Sequence, residues 1–286
     1  MDVTELEGYV GADIGGQSIK IGTFRDGVFI SKDFVTPPDY PAAREQMIAV
    51  ARELAGGKPK GFGVGSPGPL DWRKGYLPWT PNIPWKHIYY TEMGNDLGCP
   101  VFVDNDANVA GLAESVLGAG RGYDIAAGFT LGTGIGFFTI KGGHIYHGRE
   151  DVEGGHQMLN PEGPECTCGS RGCLESFISA WAIRKKTGKD PDQIDDPKFW
   201  AEIAYFLAWG ITNVNALVCP EIFVLCGGMI QRGDMLMTPL HIELNRMCKI
   251  MPPAPIKLAE LGTRAGVYGA IVLARLGHSE KNEMSK

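Results

Sequence analysis

Between His156 and Glu175 the chain reads HQMLNPEGPECTCGSRGCLE. One histidine and three cysteines, Cys166, Cys168 and Cys173, fall within eighteen residues and are separated by glycines and prolines. Three thiolates and an imidazole complete a tetrahedron about Zn²⁺, and the turns let a short segment wrap the ion. Four protein ligands leave no open position for water, so the expected metal is structural. Such a loop exists to hold something, and polar residues stand at both of its ends.

A second kind of chemistry is written in glycines. The run Asp13-Ile-Gly-Gly-Gln-Ser-Ile-Lys20 joins two expected strands through Gly15 and Gly16. Paired glycines let backbone N–H groups turn inward, and such a nest accepts phosphate oxygens. Asp13 would repel a bare phosphate but suits a Mg²⁺ ion escorting it. Leu131-Gly-Thr-Gly-Ile-Gly136 repeats the device. Each run alone also fits an ordinary tight hairpin. Their recurrence at equivalent places favours a nucleotide held between two lobes, although neither run is a Walker or dinucleotide fingerprint.

The polar run Val103-Asp-Asn-Asp-Ala-Asn108 falls where a strand hands over to a helix. Asp106 near the helix start would be kept charged by the N-terminal amides. It could then accept a proton late in transfer from a hydroxyl attacking a phosphoryl group. The competing reading is that Asp104 and Asp106 only cap the helix.

The elements that must position these residues alternate between strand and helix. Strands are expected at 9–14, 19–24 and 28–32, with Asp26-Gly27 as a hairpin turn. A helix follows over 40–54, capped by Asp39 and stopped by Gly56-Gly57. Further strands fall at 61–65 and 100–104, with aromatic, proline-rich loop material over 72–90 and a helix over 108–117. The pattern restarts with strands at 125–130 and 137–140. Helices at 175–187 and 198–217, a strand at 222–225 and a final helix at 264–276 complete an α/β chain. Two copies of "strand, glycine turn, strand, hairpin" suggest two related lobes.

Composition narrows the class. Forty glycines in 286 residues cluster in short motifs without collagen period. The net charge of −6 offers no nucleic-acid footprint. No leader pattern and no run of about 18 apolar residues occurs, so a soluble, cytoplasmic, non-membrane protein is expected. Seven cysteines, three of them in the metal cluster, argue against a disulfide framework.

Together these residues resemble the ROK family of bacterial sugar kinases. The resemblance runs from about residue 9 to 276. It rests on Asp13 to Lys20, Gly63-Val-Gly-Ser-Pro-Gly-Pro-Leu-Asp71, Asn82-Ile-Pro-Trp85, Asp104-Asn-Asp-Ala-Asn108, Leu131-Gly-Thr-Gly134, Glu153-Gly-Gly-His156 and the Cys-x-Cys run ending at Glu175. It implies an actin-like (ribonuclease H-like) ATPase fold, with two α/β lobes around a nucleotide and sugar cleft. The boundaries expected on this basis are 1–108 for a small lobe, completed by a C-terminal helix within 264–286, and 109–263 for a larger lobe carrying the zinc loop 156–173.

The resemblance also implies roles. Asp106 would deprotonate a sugar hydroxyl, usually that on C6. Asn82, Asn105, Asp106, Glu153, His156 and Glu175 match sugar-contacting positions, and His156, Cys166, Cys168 and Cys173 match zinc ligands. Asp13, Gly15, Gly16, Gln17 and Lys20, with Gly132, Thr133, Gly134, Gly227 and Gly228, match positions around ATP and Mg²⁺. Glucose is the first expected substrate. N-acetylglucosamine, N-acetylmannosamine, fructose, mannose and allose are alternatives, polyphosphate is an alternative donor, and a homodimer is the expected assembly. A sugar-responsive regulator or a silent sugar-binding protein would be the non-enzymatic readings. Gln17 stands where Thr or Ser is usual, Phe137-Phe138 replaces small residues, Asp151-Val152 replaces Ala-Gly, and Cys226-Gly-Gly228 replaces a triple glycine. These departures bear on which sugar fits, not on whether phosphoryl transfer occurs.

Overall fold

The computed structural model describes residues 1–278, which divide into two compact units. The first comprises Met1–Gly122, Ile140–Asp151 and the segment from Leu261; the second comprises Tyr123–Thr139 and Val152–Glu260. The boundary expected after residue 108 would cut a helix, and the structure moves it to the glycine-rich turn beyond that helix. Residues 279–286 of the expected C-terminal helix lie outside the described residues.

The chain opens with three antiparallel strands, β1 (Tyr9–Ile14), β2 (Ser18–Arg25) and β3 (Val28–Val35). Asp26 and Gly27 both take positive φ, as a tight two-residue hairpin requires. Helix α1 (Tyr40–Ala55) begins where the Asp39 carboxylate accepts the Ala42 N–H and ends at Gly56 in the left-handed region. β4 (Gly61–Ser66) lies parallel to β1. The expected loop over 72–90 contains the short pair β5 (Tyr76–Leu77) and β6 (Ile88–Tyr89). Its Leu77, Ile83, Trp85 and Tyr90 are buried in the same core as α1, so this segment is an extension of the core. Helix α2 (Met93–Leu97) leads to β7 (Val101–Asn105), and α3 (Asp106–Val116) follows without a break. The expected start of α3 at 108 is therefore two residues late.

β8 (Ile125–Leu131) and β9 (Ile135–Lys141) restart the pattern, and β9 turns back into β10 (His144–Ile145). The single helix expected over 175–187 is two, α4 (Leu174–Ile178) and α5 (Ala180–Thr187). The break is Ser179, which is extended and caps α5 through the Ala182 N–H. Helix α6 (Pro197–Leu217) buries Trp200, Ile203, Leu207, Ile211 and Val214 along one stripe. After β11 (Ile222–Cys226) come two elements absent from the sequence reading, α7 (Asp234–Met247) and the edge strand β12 (Ile256–Leu258). α8 (Ala265–Leu276) closes the chain.

The two sheets have the orders β3-β2-β1-β4-β7 and β10-β9-β8-β11-β12. Matched strand for strand these are one topology written twice, as the repeated sequence pattern implied. Glycines explain how α8 packs on the first sheet: a Cβ on Gly11 or Gly63 would collide with the α8 backbone at Ile271 or Ala270. Gly269 plays the same part from α8, lying against the Val109 carbonyl of α3. Among the described residues no helix is long and apolar enough to cross a membrane.

Candidate active site and metal centre

In the first unit, Asp13 lies next to the end of β1, opposite Lys20 of β2. Burial raises its carboxyl above the usual carboxylate range, and the Lys20 charge offsets this only in part. The carboxylate lies against Gly266 in the first turn of α8, where only a glycine leaves room for it and where the helix dipole favours a negative charge. The turn that follows is closed by Gly15 N–H donating to the Ser18 carbonyl at 2.9 Å. Gly16 abuts the backbone carbonyl of Asn82, which brings the expected phosphate turn and an expected sugar contact side by side. Gln17 is exposed, and Lys20 Nζ lies 3.5 Å from the Thr263 carbonyl, which it donates to.

At the β7–α3 junction two side chains meet the same helix N–H. Asn105 is the N-cap: its side-chain oxygen accepts the Ala107 N–H at 2.9 Å. Asp106 is the first helical residue, exposed, with Oδ1 2.8 Å from the same N–H. Asp104 is fully buried and points elsewhere, to Asn108, His147 and His278. Sequence reasoning missed those histidines, which lie 43 and 174 residues from Asp104.

The second unit holds the metal loop. His156, Cys166, Cys168 and Cys173 offer ligand atoms that all lie within 4.8 Å of one another. His156 Nδ1 is 3.5 Å from Cys166 Sγ, and Cys168 Sγ is 3.7 Å from Cys173 Sγ. A tetrahedral ion with Zn–S near 2.3 Å and Zn–N near 2.0–2.1 Å separates two sulfurs by about 3.8 Å and a sulfur from a nitrogen by about 3.5 Å. These two separations match those between ligands of a tetrahedral zinc ion. Burial, with the neighbouring thiols, pushes Cys173 up to about 12, and burial raises Cys166, whereas at Cys168 hydrogen bonds outweigh burial and lower the thiol. The loop is held by Cys166 N–H to the Ser170 carbonyl and Leu159 N–H to the Gly172 carbonyl. With Nδ1 facing the sulfurs, His156 keeps Nε2 for another partner.

Both ends of the loop are fastened to the glycine turn 131–136. At one end Gly155 lies on the Ile135 carbonyl and Gly154 on the ring of Phe137, positions with no room for a Cβ. Phe137 thus packs beneath the exposed Glu153 turn, while Phe138 fills the space beside Gly128. At the other end Glu175 is buried; Oε2 accepts the Ile135 N–H at 2.9 Å and Oε1 the Thr167 hydroxyl at 2.8 Å. The Gly132 and Thr133 carbonyls in turn accept the Ala180 and Trp181 N–H groups of α5. Gly227, at φ 93°, fits against the Leu131 carbonyl, so the two glycine turns of this unit adjoin. Thr167 was not foreseen; its place between two metal ligands was the available signal.

A buried carboxylate beside a glycine turn, an exposed aspartate at a helix N-terminus and a Cys₃His loop on a twice-written α/β topology define a class of proteins. The profile of the ROK family matches residues 9–276. A glucokinase of Halalkalibacterium halodurans is 32% identical over 323 residues, covering 97% of each chain. The crystal structure of a ROK hexokinase from Thermus thermophilus superposes with a TM-score of 0.86 at 31% identity, covering 94% of this chain and 98% of that one. A ROK family glucokinase from Streptomyces griseus, in complex with glucose and AMPPNP, gives 0.77 at 30% identity, covering 94% and 99%. The chain belongs to the ROK family, and its fold is the α/β actin-like ATPase fold of that family.

Proposed function

We propose that this protein is an ATP-dependent sugar kinase that phosphorylates the C6 hydroxyl of a hexose, with glucose as the leading substrate. The observation that carries the reading is the division of labour at the β7–α3 junction. Asn105 is the N-cap, and Asp106, exposed as the first helical residue, carries a carboxylate beside the helix N-terminal amides, where its charge is favoured. Likeness to the glucokinases and the hexokinase supports the substrate class.

In this reading the sugar is held by Asn82, Asn105, Glu153, His156 and Glu175. Glu175 is anchored by Ile135, Thr167 and Cys166, and Oε2, which accepts only the Ile135 N–H, keeps a second lone pair for a hydroxyl. The C6 oxygen attacks the γ-phosphorus of ATP as the bond to the β,γ-bridging oxygen breaks. ADP leaves with that electron pair, and Asp106 takes the hydroxyl proton late in the transfer. Gly15, Gly16, Gln17 and Lys20, with Gly132, Thr133, Gly134, Gly227 and Gly228, line the nucleotide. Asp13 would hold Mg²⁺, directly or through water, and a cation there offsets the burial that disfavours its charge. That ion would supply neutralisation of the phosphate oxygens. His156, Cys166, Cys168 and Cys173 would hold zinc, which fixes the loop carrying His156 and Glu175.

A coupled ADP-release assay across glucose, fructose, mannose, allose and their 2-acetamido relatives tests the proposal, with Mg²⁺–ATP and polyphosphate as donors. Sugar-dependent ADP release, greatest with glucose, is the expected result. Absence of phosphorylation with every sugar and donor would leave the protein a sugar-binding or regulatory member of the family.

A further inference from the structure

Asp104 immediately precedes Asn105 and Asp106, is fully buried, and accepts four hydrogen bonds. Oδ1 takes the Asn105 N–H and the Asn108 Nδ2, both at 2.9 Å. Oδ2 takes Nε2 of His147 at 2.8 Å and of His278 at 3.1 Å. These four bonds use the capacity of a carboxylate. Oδ1 thus ties the end of β7 to the first turn of α3, while Oδ2 is held by rings from two other parts of the first unit. His147 follows β10 and stacks on Trp72, with centroids 3.9 Å apart and planes 16° from parallel. His278 follows α8 and leans on both Trp72 and Phe102.

Among the described residues the ion-pair partners of Asp104 are both histidines. For both rings to meet Oδ2, each must carry its hydrogen on Nε2. Burial opposes the charge of Asp104, yet the two imidazole hydrogen bonds hold its carboxyl below the usual range. Asp104, His147 and Asp151 also gather as a cation site would, with Asp151 Oδ1 3.7 Å from the same Nε2. Two ligands of a tetrahedral ion at about 2.0–2.1 Å stand about 3.3 Å apart, whereas His147 and Asp104 are at 2.8 Å. That is the length of a charge-assisted hydrogen bond. His147 and His278 brace Asp104 through these hydrogen bonds.

We propose that His147 and His278 are positioning residues for Asp106, acting through Asp104 to set the angle at which the β7–α3 junction presents Asn105 and Asp106. The inference rests on the kinase reading. Asp106 lies two residues along the backbone from a side chain whose every lone pair is committed, so a shift of Asp104 moves the base with it. Displacement of a reacting group by about an ångström costs on the order of a hundredfold in rate. Neither ring has to touch substrate.

The test compares His147→Gln, His147→Phe and His147→Asn, with the same three changes at His278. Glutamine places an amide N–H where Nε2 stood. Phenylalanine keeps the ring and its stack on Trp72 but removes the donor. Asparagine places its amide at the Nδ1 position, short of Oδ2. The expected result is that kcat falls roughly 10- to 100-fold in the Phe and Asn variants. Sugar KM should stay within about threefold, and Gln should keep kcat within about threefold of wild type. If a Phe variant does not fold, the Gln–Asn pair decides the matter alone. Phe or Asn variants with wild-type kcat, or a Gln variant as slow as Asn, would overturn the inference. A wild type that phosphorylates no sugar would instead refute the kinase reading, and the inference with it.

Discussion

The backbone N–H of Ile135 donates to Glu175 Oε2 at 2.9 Å, and this bond joins the glycine turn after β8 to the helix that leaves the metal loop. The other carboxylate oxygen is taken by Thr167, which stands between two metal ligands. Glu175 is buried, so these donors replace the water that would otherwise solvate its charge. The candidate metal loop thereby reaches the glycine turn through one side chain.

Glu175→Ala strands a buried N–H, whereas Thr167→Val removes one hydroxyl bond and leaves Glu175 anchored at Ile135. The expected losses in urea denaturation are about 1–3 kcal/mol for the first and about 1 kcal/mol for the second. Both should raise sugar KM. Equal stability of the two variants and wild type would show that Glu175 does not brace the turn.

Asp106→Asn keeps an acceptor for the Ala107 N–H and removes the base. Phosphorylation should fall by about 10²–10⁴, while the sugar dissociation constant, read by calorimetry without ATP, changes a few-fold at most. A variant that still turns over at half the wild-type rate would remove Asp106 from the chemistry.

Stripping the metal with a chelator, or changing Cys168 to Ser, should lower the melting temperature and raise sugar KM more than it lowers kcat. Elemental analysis of the native protein should find zinc at a single equivalent per chain. Metal-free protein with unchanged melting and unchanged sugar kinetics would separate the loop from the site.

Burial of Asp13 disfavours its charge in the ligand-free protein, and this predicts a pH-dependent effect on stability. Its carboxyl is raised above the ordinary value of about 3.9 in the folded state, so the folded state binds its proton more tightly than the unfolded one. The stability this contributes is complete below the unfolded value and is lost as pH rises through the folded value. Asp13→Asn should therefore melt higher than wild type at pH 7, with a gap that closes as pH falls below about 4. It should also weaken use of Mg²⁺–ATP. A variant melting lower than wild type at pH 7 would reverse this reading.

Two elements show why parts of the fold escaped the sequence. α7 carries Leu236, Leu240 and Leu244 at helical spacing on its buried side, but Pro239 sits inside it and reads as a breaker. β12 is a three-residue edge strand defined by pairing with β11, so its own residues hold little signal. The start of α3 was placed late because Asn105 and Asp106 resemble loop residues until the cap geometry is seen.

Local spacing was sufficient for the features whose parts lie close in the chain. The four candidate metal ligands fall on one short loop, the glycine turns sit between alternating strands, and the repeated pattern of strands suggested two lobes of related topology. These are short-range properties, set by turn chemistry and periodicity. Tertiary structure decided the rest: that Asn105 is the N-cap of α3 and Asp106 its first residue, that Glu175 is bound to Ile135, and that Asp104 is met by His147 and His278. Those partners are 40, 43 and 174 residues apart in sequence. A buried carboxylate must find donors wherever the folded chain brings them, and no spacing rule in the sequence records that choice.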